Sequence, residues 1–296
     1  MPGFFYQAIS RKTFIKQTAS LLGAVSVGSS FFAHAASPTQ ELHYALLSDT
    51  HVAADKSNEY RRFFPYQNLQ KVVAQLSSMQ HEGIIINGDV ARLEGKEEDY
   101  QQVKALLSPL SSKVPIHIGM GNHDDRAPFF SVFPADDPSQ VEDKHVSVIE
   151  SDPVRIIILD SLLYVNKVAG LLGKSQRSWL ESYLKSSDEK PTVLFVHHTL
   201  EDRDSDLLDA ERMFDVIRPH QKVKAVFYGH SHRYHIEEKE GIYLVNLPAI
   251  GYNFTDDQPI GWVDALFTPS GVGLKLHAIG GNPERDGEEK TLQWRA

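Results

Sequence analysis

The sequence predicts a layered α/β domain, on three observations. Short runs rich in Ile, Val and Leu recur along the chain without polar alternation, as strands buried on both faces do. Helical patterns separate them, with apolar residues at steps of three and four. Late in the chain two runs adjoin through a tight turn, adding antiparallel strands to a set otherwise joined by helices.

In chain order, residues 42–49 (LHYALLSD) read as the first strand. Leu69, Val72, Val73, Leu76 and Met79 mark the first helix, with Pro65 near its start and Gly83 past its end. Residues 83–88 form the second strand, Tyr100, Val103, Leu106, Leu107 and Leu110 the next helical face, and residues 114–119 the third strand. Strands follow at 154–160, 192–198, 224–230 and 242–248, with a helix at Trp179, Leu180, Tyr183 and Leu184. Residues 262–279 read as a hairpin turning at Pro269, Ser270 and Gly271, and the acidic tail after Gly280 as solvated. No internal repeat is visible, and residues 36–296 are expected to form a single domain.

With 296 residues the chain is long enough for a sizeable core. Its formal charge is −9 with no block of Lys or Arg, which argues against binding long nucleic acid. It has no cysteine, which excludes disulfides, thiolate metal sites and a Cys nucleophile, whereas histidine is plentiful at 14 residues.

Residues 1–35 differ from the rest. SRKTFIKQ carries three cations and no acid, an apolar small-residue run follows, and Ala33-His34-Ala35 offers a cleavage site. The pattern is that of an export signal, and Ser10 to Lys16 resembles the twin-arginine motif with Lys12 in place of the second Arg. The apolar run from Ala19 to Ala33 is shorter than the roughly 20 residues of a spanning helix. The mature chain, 36–296, is therefore expected to be exported, periplasmic or secreted, with no stable membrane span.

Five strand runs end in metal-ligand types: Asp49-Thr50-His51, Gly88-Asp89, Gly121-Asn122-His123-Asp124, His197-His198 and Gly229-His230-Ser231-His232. Ligands of α/β sheets bind outside the carboxyl ends of strands. Any one of these could be a capped turn, but turn chemistry does not explain five together. Asp49, His51, Asp89, Asn122, His197, His230 and His232 make seven ligands, too many for one ion with an open position and suited to two ions sharing a carboxylate. With two carboxylates against two divalent ions the cluster stays cationic, able to attract a phosphate ester even in an acidic protein.

The ordered set D-x-H, G-D, G-N-H-D, H, G-H-x-H resembles the calcineurin-like metallophosphoesterases, from Asp49 to His232. The resemblance implies an α-β-β-α sandwich of two mixed sheets flanked by helices. It implies that Asp49, His51, Asp89 and His232 hold one metal, that Asp89, Asn122, His197 and His230 hold the other, and that Asp89 bridges them. It also implies that His123 acts on the ester oxygen, with Asp124 expected to orient its imidazole and raise its pKa. Purple acid phosphatases place a Tyr ligand where Arg92 stands here, so a purple iron centre is not expected; Mn, Fe and Zn all suit the donors. GNHDDR and HHT look most like the bacterial class III cyclic-nucleotide phosphodiesterases.

Arg92, Arg126 and His198 are candidates for contacting a phosphate. Residues 58–67 cluster aromatics and arginines that could stack a base or an acyl chain, or simply pack. His43, His81, His117, His145, His220, His235 and His277 have no supporting motif and are read as structural or exposed. The expected function is hydrolysis of a small phosphodiester, cyclic nucleotides among the candidates, by in-line attack of a metal-bridging hydroxide. Phosphomonoester and phospholipid-type hydrolysis are the alternatives, and a metal- or phosphate-binding module on the same fold is the non-enzyme rival.

Overall fold

The computed structural model describes residues 41–134 and 141–296. The export-signal pattern lies outside the described residues. In the first sheet β1 (Leu42–Leu47), β2 (Gly83–Asn87) and β3 (Ile116–Gly119) run parallel, and β10 (Pro259–Thr268), β11 (Gly271–Gly281) and β12 (Glu289–Gln293) extend it antiparallel, in the order β12-β11-β10-β1-β2-β3. The second sheet has β5 (Arg155–Ile158), β6 (Thr192–Phe195), β7 (Val223–Tyr228) and β9 (Ile242–Asn246) in parallel, edged by antiparallel β4 (Ser147–Glu150) and β8 (His235–Lys239).

Strand periodicity divides each run between two cores. In β1, Tyr44 and Leu46 point between the sheets, where they meet Ile85, Ile156, Phe195 and Phe227, while Ala45 and Leu47 face outward. That outer face is covered by α1 (Pro65–Ser77), α2 (Glu97–Ser111) and α3 (Arg126–Val132) through Leu69, Val72, Val103 and Phe129. The outer face of the second sheet is covered by α4 (Gly173–Ser186) and α5 (Ala210–Ile217) through Leu180, Leu184, Met213 and Phe214. The result is the expected α-β-β-α sandwich, and it explains the unbroken apolar runs: both faces of these strands are buried.

The tail after Gly280 departs from expectation. It pairs β12 with β11, buries Leu292 and sends Arg295 to the carbonyls of His220 and Val223 beside β7. Only one residue of Glu289–Gln293 is buried, so the strand carried no apolar pattern; charged side chains on an edge strand face water. α3, β4 and β8 are likewise too short or too exposed to show a period in the sequence, whereas α5, absent from the expected elements, does carry one, with Ala210, Met213, Phe214 and Ile217 at steps of three and four. No helix among the described residues is long and apolar enough to cross a membrane.

His117 on β3 is buried, and burial pushes its imidazole down to about 4 from 6.5. The unfolded chain takes up this proton as pH falls below 6.5, the folded chain only near 4, so stability present above 6.5 is lost between the two. The expected loss is about 3 kcal/mol. Denaturant midpoints of the wild type and His117→Leu, compared at pH 7.5 and pH 4.5, check it: the substitution should flatten the fall.

Candidate metal centre

The polar residues at the strand ends are re-aimed by their backbone. Asp49, His51, Asp89, His230 and His232 have φ of 52°, 48°, 49°, 68° and 53°, the left-handed region that non-glycine residues enter at a cost. The loops after β1 and β2 stay paired while they turn, through Asp49 N–H to Gly88 O and His51 N–H to Asp89 O. Gly121 sits so close to Asp89 that a Cβ would lie 2.2 Å from its Oδ1, and a Cβ at Gly229 would lie 2.2 Å from Ser48 Oγ. Only glycine admits these approaches.

Five of the seven ligand-type side chains, Asp49, Asp89, His197, His230 and His232, are fixed by one atom and present another, while His51 Nδ1 is buried without a partner among the described residues. Asp49 Oδ2 accepts from Ser48 Oγ (2.5 Å) and His230 N (3.2 Å), and its Oδ1 faces His232 Nε2 at 3.3 Å and His197 Nε2 at 3.9 Å. Asp89 Oδ1 accepts from His123 N (2.8 Å), and Oδ2 faces His197 Nε2 at 3.3 Å and His51 Nε2 at 3.7 Å. His197 and His232 are oriented through Nδ1 by the carbonyls of Asn87 (2.8 Å) and Tyr252 (2.6 Å), and His230 through Nε2 by that of Ser205 (3.2 Å). Two groups of ligand atoms result, Asp49-His51-His232 and Asp89-His197-His230, and His51, Asp89 and His123 also cluster.

The donors fit divalent cations. Asp49 Oδ1, Asn122 Oδ1 and His197 Nε2 are buried without a hydrogen-bond partner among the described residues, a cost of roughly 1–3 kcal/mol each that a bound ion would remove. Oxygen and imidazole nitrogen without thiolate suit Mn, Fe or Zn. The electrostatics agree: burial pushes Asp89 and Asp49 up, but His197 and its neighbouring imidazoles outweigh it and hold both carboxyls below their ordinary range. Burial likewise pushes His197 down, and the facing Asp89 and Asp49 raise it to about 10.

His123 lines the cleft, half-buried, with its ring centroid 5.3 Å from that of His51. Its Nδ1 donates to the Leu93 carbonyl (2.9 Å), which can only accept, leaving Nε2 for exchange. Asp124 does not orient it. The Asp124 carboxylate is fully buried and accepts from the backbone N–H of Gly121, Val90 and Ala91 and from Tyr100 Oη, so it ties the loop after β3 to the loop after β2. Burial and then the charge of Asp89 push it up to about 6. The next residue, Asp125, caps α3 by accepting from Ala127 N.

Of the three expected phosphate contacts, Arg126 and His198 are engaged by other partners, whereas Arg92 stands beside the cleft behind Tyr60 and Tyr252. Arg126 forks onto the buried Asp160, with Nε to Oδ2 and Nη2 to Oδ1 both 2.8 Å, and adds the Leu162 carbonyl. His198 is fully buried with Nδ1 at 2.7 Å from Ser161 Oγ, behind His230, whose ring centroid is 4.8 Å away. Arg92 lies over the Tyr60 ring at 4.7 Å. None of them lines the cleft. Arg126→Met is therefore expected to destabilise the fold by about 3 kcal/mol, because Asp160 loses its buried partner, with little change in KM; urea midpoints and initial rates check both.

The cleft, about 340 Å³, is rimmed by residues that carry no motif: Val168, Arg203, Arg233, Tyr252, Phe254 and Thr255. Tyr252 stacks on His51 at 4.7 Å and Phe254 on His232 at 4.5 Å. The aromatic segment 58–67 supports this rim from behind, Tyr60 packing edge-on to Tyr252 and Arg61 donating to the carbonyls of Asn253 and Phe254. Phe63 and Phe64 do not line the cleft.

A sandwich of two sheets that delivers Asp, Asn and His from five strand ends to one cleft defines a metallohydrolase class of protein. Within that class the chain belongs to the calcineurin-like phosphoesterase family, whose profile matches residues 42–234. It is similar to a glycerophosphodiester phosphodiesterase of Enterobacter lignolyticus, 26% identical over 229 residues covering 73% of this chain and 81% of that protein. It is similar also to a 3',5'-cyclic adenosine monophosphate phosphodiesterase of Haemophilus influenzae, 26% identical over 242 residues covering 79% and 85%. A dimetal phosphatase from Danio rerio shares the fold, with TM-score 0.65 at 15% identity over 86% of this chain and 99% of that one.

Proposed function

We propose that the chain hydrolyses small phosphodiesters at a dinuclear divalent-metal centre, cyclic nucleotides and glycerophosphodiesters being the classes that its relatives' names put forward. The observation that carries this is Asp89: its Oδ2 faces His51 of one ligand group and His197 of the other. Asp49, His51, Asp89 and His232 would hold one ion, and Asp89, Asn122, His197 and His230 the second. Paired divalent ions there supply charge neutralisation for a phosphate and a lowered pKa for water.

The remaining work falls to the chain's own residues. His123, held by the Leu93 carbonyl, turns Nε2 to the substrate and gives a proton to the leaving oxygen or donates to a charged phosphoryl oxygen. The exposed face of Phe254 and the rings behind it offer an apolar surface beside the cluster, which a diester's second substituent can cover and a monoester lacks. Arg233 at the rim offers a positive charge to an anion in an otherwise acidic protein, while Arg203 beside it is paired with Glu201. The same reading puts the mature chain outside the cytoplasm, on the export-signal pattern of residues 1–35; the mass of the mature N-terminus in a cell fractionation tests that part.

The test of activity compares bis-p-nitrophenyl phosphate with p-nitrophenyl phosphate, using residues 36–296 loaded with Mn²⁺. A diester rate well above the monoester rate is expected. A faster monoester rate would move the assignment to phosphatase, and no turnover with two metals bound would favour a binding module.

A further inference from the structure

At the other end of the first sheet from the cleft, three segments distant in sequence bring together His43, His81 and Asp264. His43 lies at the start of β1, His81 just before β2, and Asp264 on β10. The β1–β10 register sets Ala45 opposite Asp264 and His43 opposite Leu266, so these side chains share the outer face of the sheet. His43 Nε2 is 2.5 Å and His81 Nε2 3.2 Å from the same atom, Asp264 Oδ1, and the two rings are 4.5 Å apart. The His81 side chain is buried, with its ring edge-on to Trp262 at 5.8 Å, whereas His43 is about one-third exposed.

We infer that His43, His81 and Asp264 form a third divalent-metal site, separate from the catalytic cluster, that takes Zn²⁺ with its fourth position open to water. One ligand atom from each residue already lies within 4.8 Å of the others. Tetrahedral zinc with bonds of about 2.0–2.1 Å needs ligand atoms roughly 3.4 Å apart; His81 Nε2 is already 3.2 Å from Asp264 Oδ1, and His43 Nε2, at 2.5 Å, would move out by about 0.9 Å. Two imidazoles and one carboxylate are the donor set of open zinc sites, and imidazole nitrogens do not suit the hard cations Ca²⁺ and Mg²⁺, which take oxygen. The surroundings favour a cation: Glu82 accepts from His43 N at 2.7 Å, adding a second carboxylate, and Lys275, opposite Asp264 on β11, is engaged by Glu289 at 2.8 Å.

His43 precedes Asp49 by six residues, so the two sites are about 20 Å apart along β1 at about 3.3 Å per residue. Loading one does not require the other. A bound ion would cross-link β1, the segment entering β2, and β10, and so stabilise the folded chain.

The experiment dialyses the chain, wild type and His43→Gln, His81→Gln and Asp264→Asn variants, against Zn²⁺ and counts metal per folded chain. Each variant is expected to bind one Zn²⁺ fewer than wild type and to keep the wild-type diesterase rate with Mn²⁺. The readout is the difference, so it stands or falls independently of how many ions the catalytic cluster takes. His43→Gln, at a partly exposed position, keeps the test valid if the buried His81→Gln fails to fold. Equal metal counts in wild type and folded His43→Gln overturn the inference, as does a loss that comes with an equal loss of diesterase activity.

Discussion

Asp89→Asn is expected to lower diesterase turnover by about a thousandfold or more and to reduce bound metal below two ions per chain. The amide is the size of the carboxylate and keeps an oxygen for the His123 N–H, so the loop after β3 stays in place. What disappears is the negative charge that faces His51 and His197, one from each ligand group. In the proposed dinuclear centre several kcal/mol of metal-derived transition-state stabilisation would depend on it, and each 1.36 kcal/mol is tenfold in rate. Metal analysis beside initial rates with Mn²⁺ checks the result. A variant that keeps both metals and a rate within about tenfold of wild type would overturn the proposal that Asp89 is shared between two ions.

His123→Ala should behave differently. The rate should fall by about 10²–10⁴-fold, the usual contribution of a positioned general acid, while metal content stays as in wild type. Among the described residues the His123 ring makes no hydrogen bond to a ligand-type side chain and meets His51 only edge-on; Nδ1 is spent on the Leu93 carbonyl, and only its backbone N–H serves Asp89, which alanine retains. The leaving group separates two roles. If His123 protonates the leaving oxygen, an alkoxide-leaving diester suffers more from the substitution than a nitrophenyl ester, whose leaving group is already stable as an anion. Equal losses on both would assign His123 to charge stabilisation at the phosphoryl oxygens.

The strands were legible because burial on both faces makes each of them an unbroken apolar run, as in Ile84-Ile85-Ile86 and Ile156-Ile157-Ile158. β12 was not, because a charged edge strand buries only Leu292. The ligand-type residues were legible for a chemical reason: Asp, Asn and His just past strand ends are the side-chain types a metal centre would need, and their positions in the chain can be read without knowing the loops. Asp124 and Arg126 followed them closely enough in sequence to look catalytic. Their actual duties, holding three backbone N–H groups and pairing with Asp160, involve partners up to 34 residues away.

By itself, then, the sequence determined the layered α/β architecture, the seven ligand-type residues and their order, because these depend on local period and on residue chemistry. Tertiary structure alone decided which oxygen of Asp49 and Asp89 faces the cluster, that Tyr252 and Phe254 form the rim, and that His43, His81 and Asp264 meet. Each of these depends on long-range strand register and on backbone conformations such as the left-handed turns at Asp49 and His232, and neither leaves a local pattern in the chain.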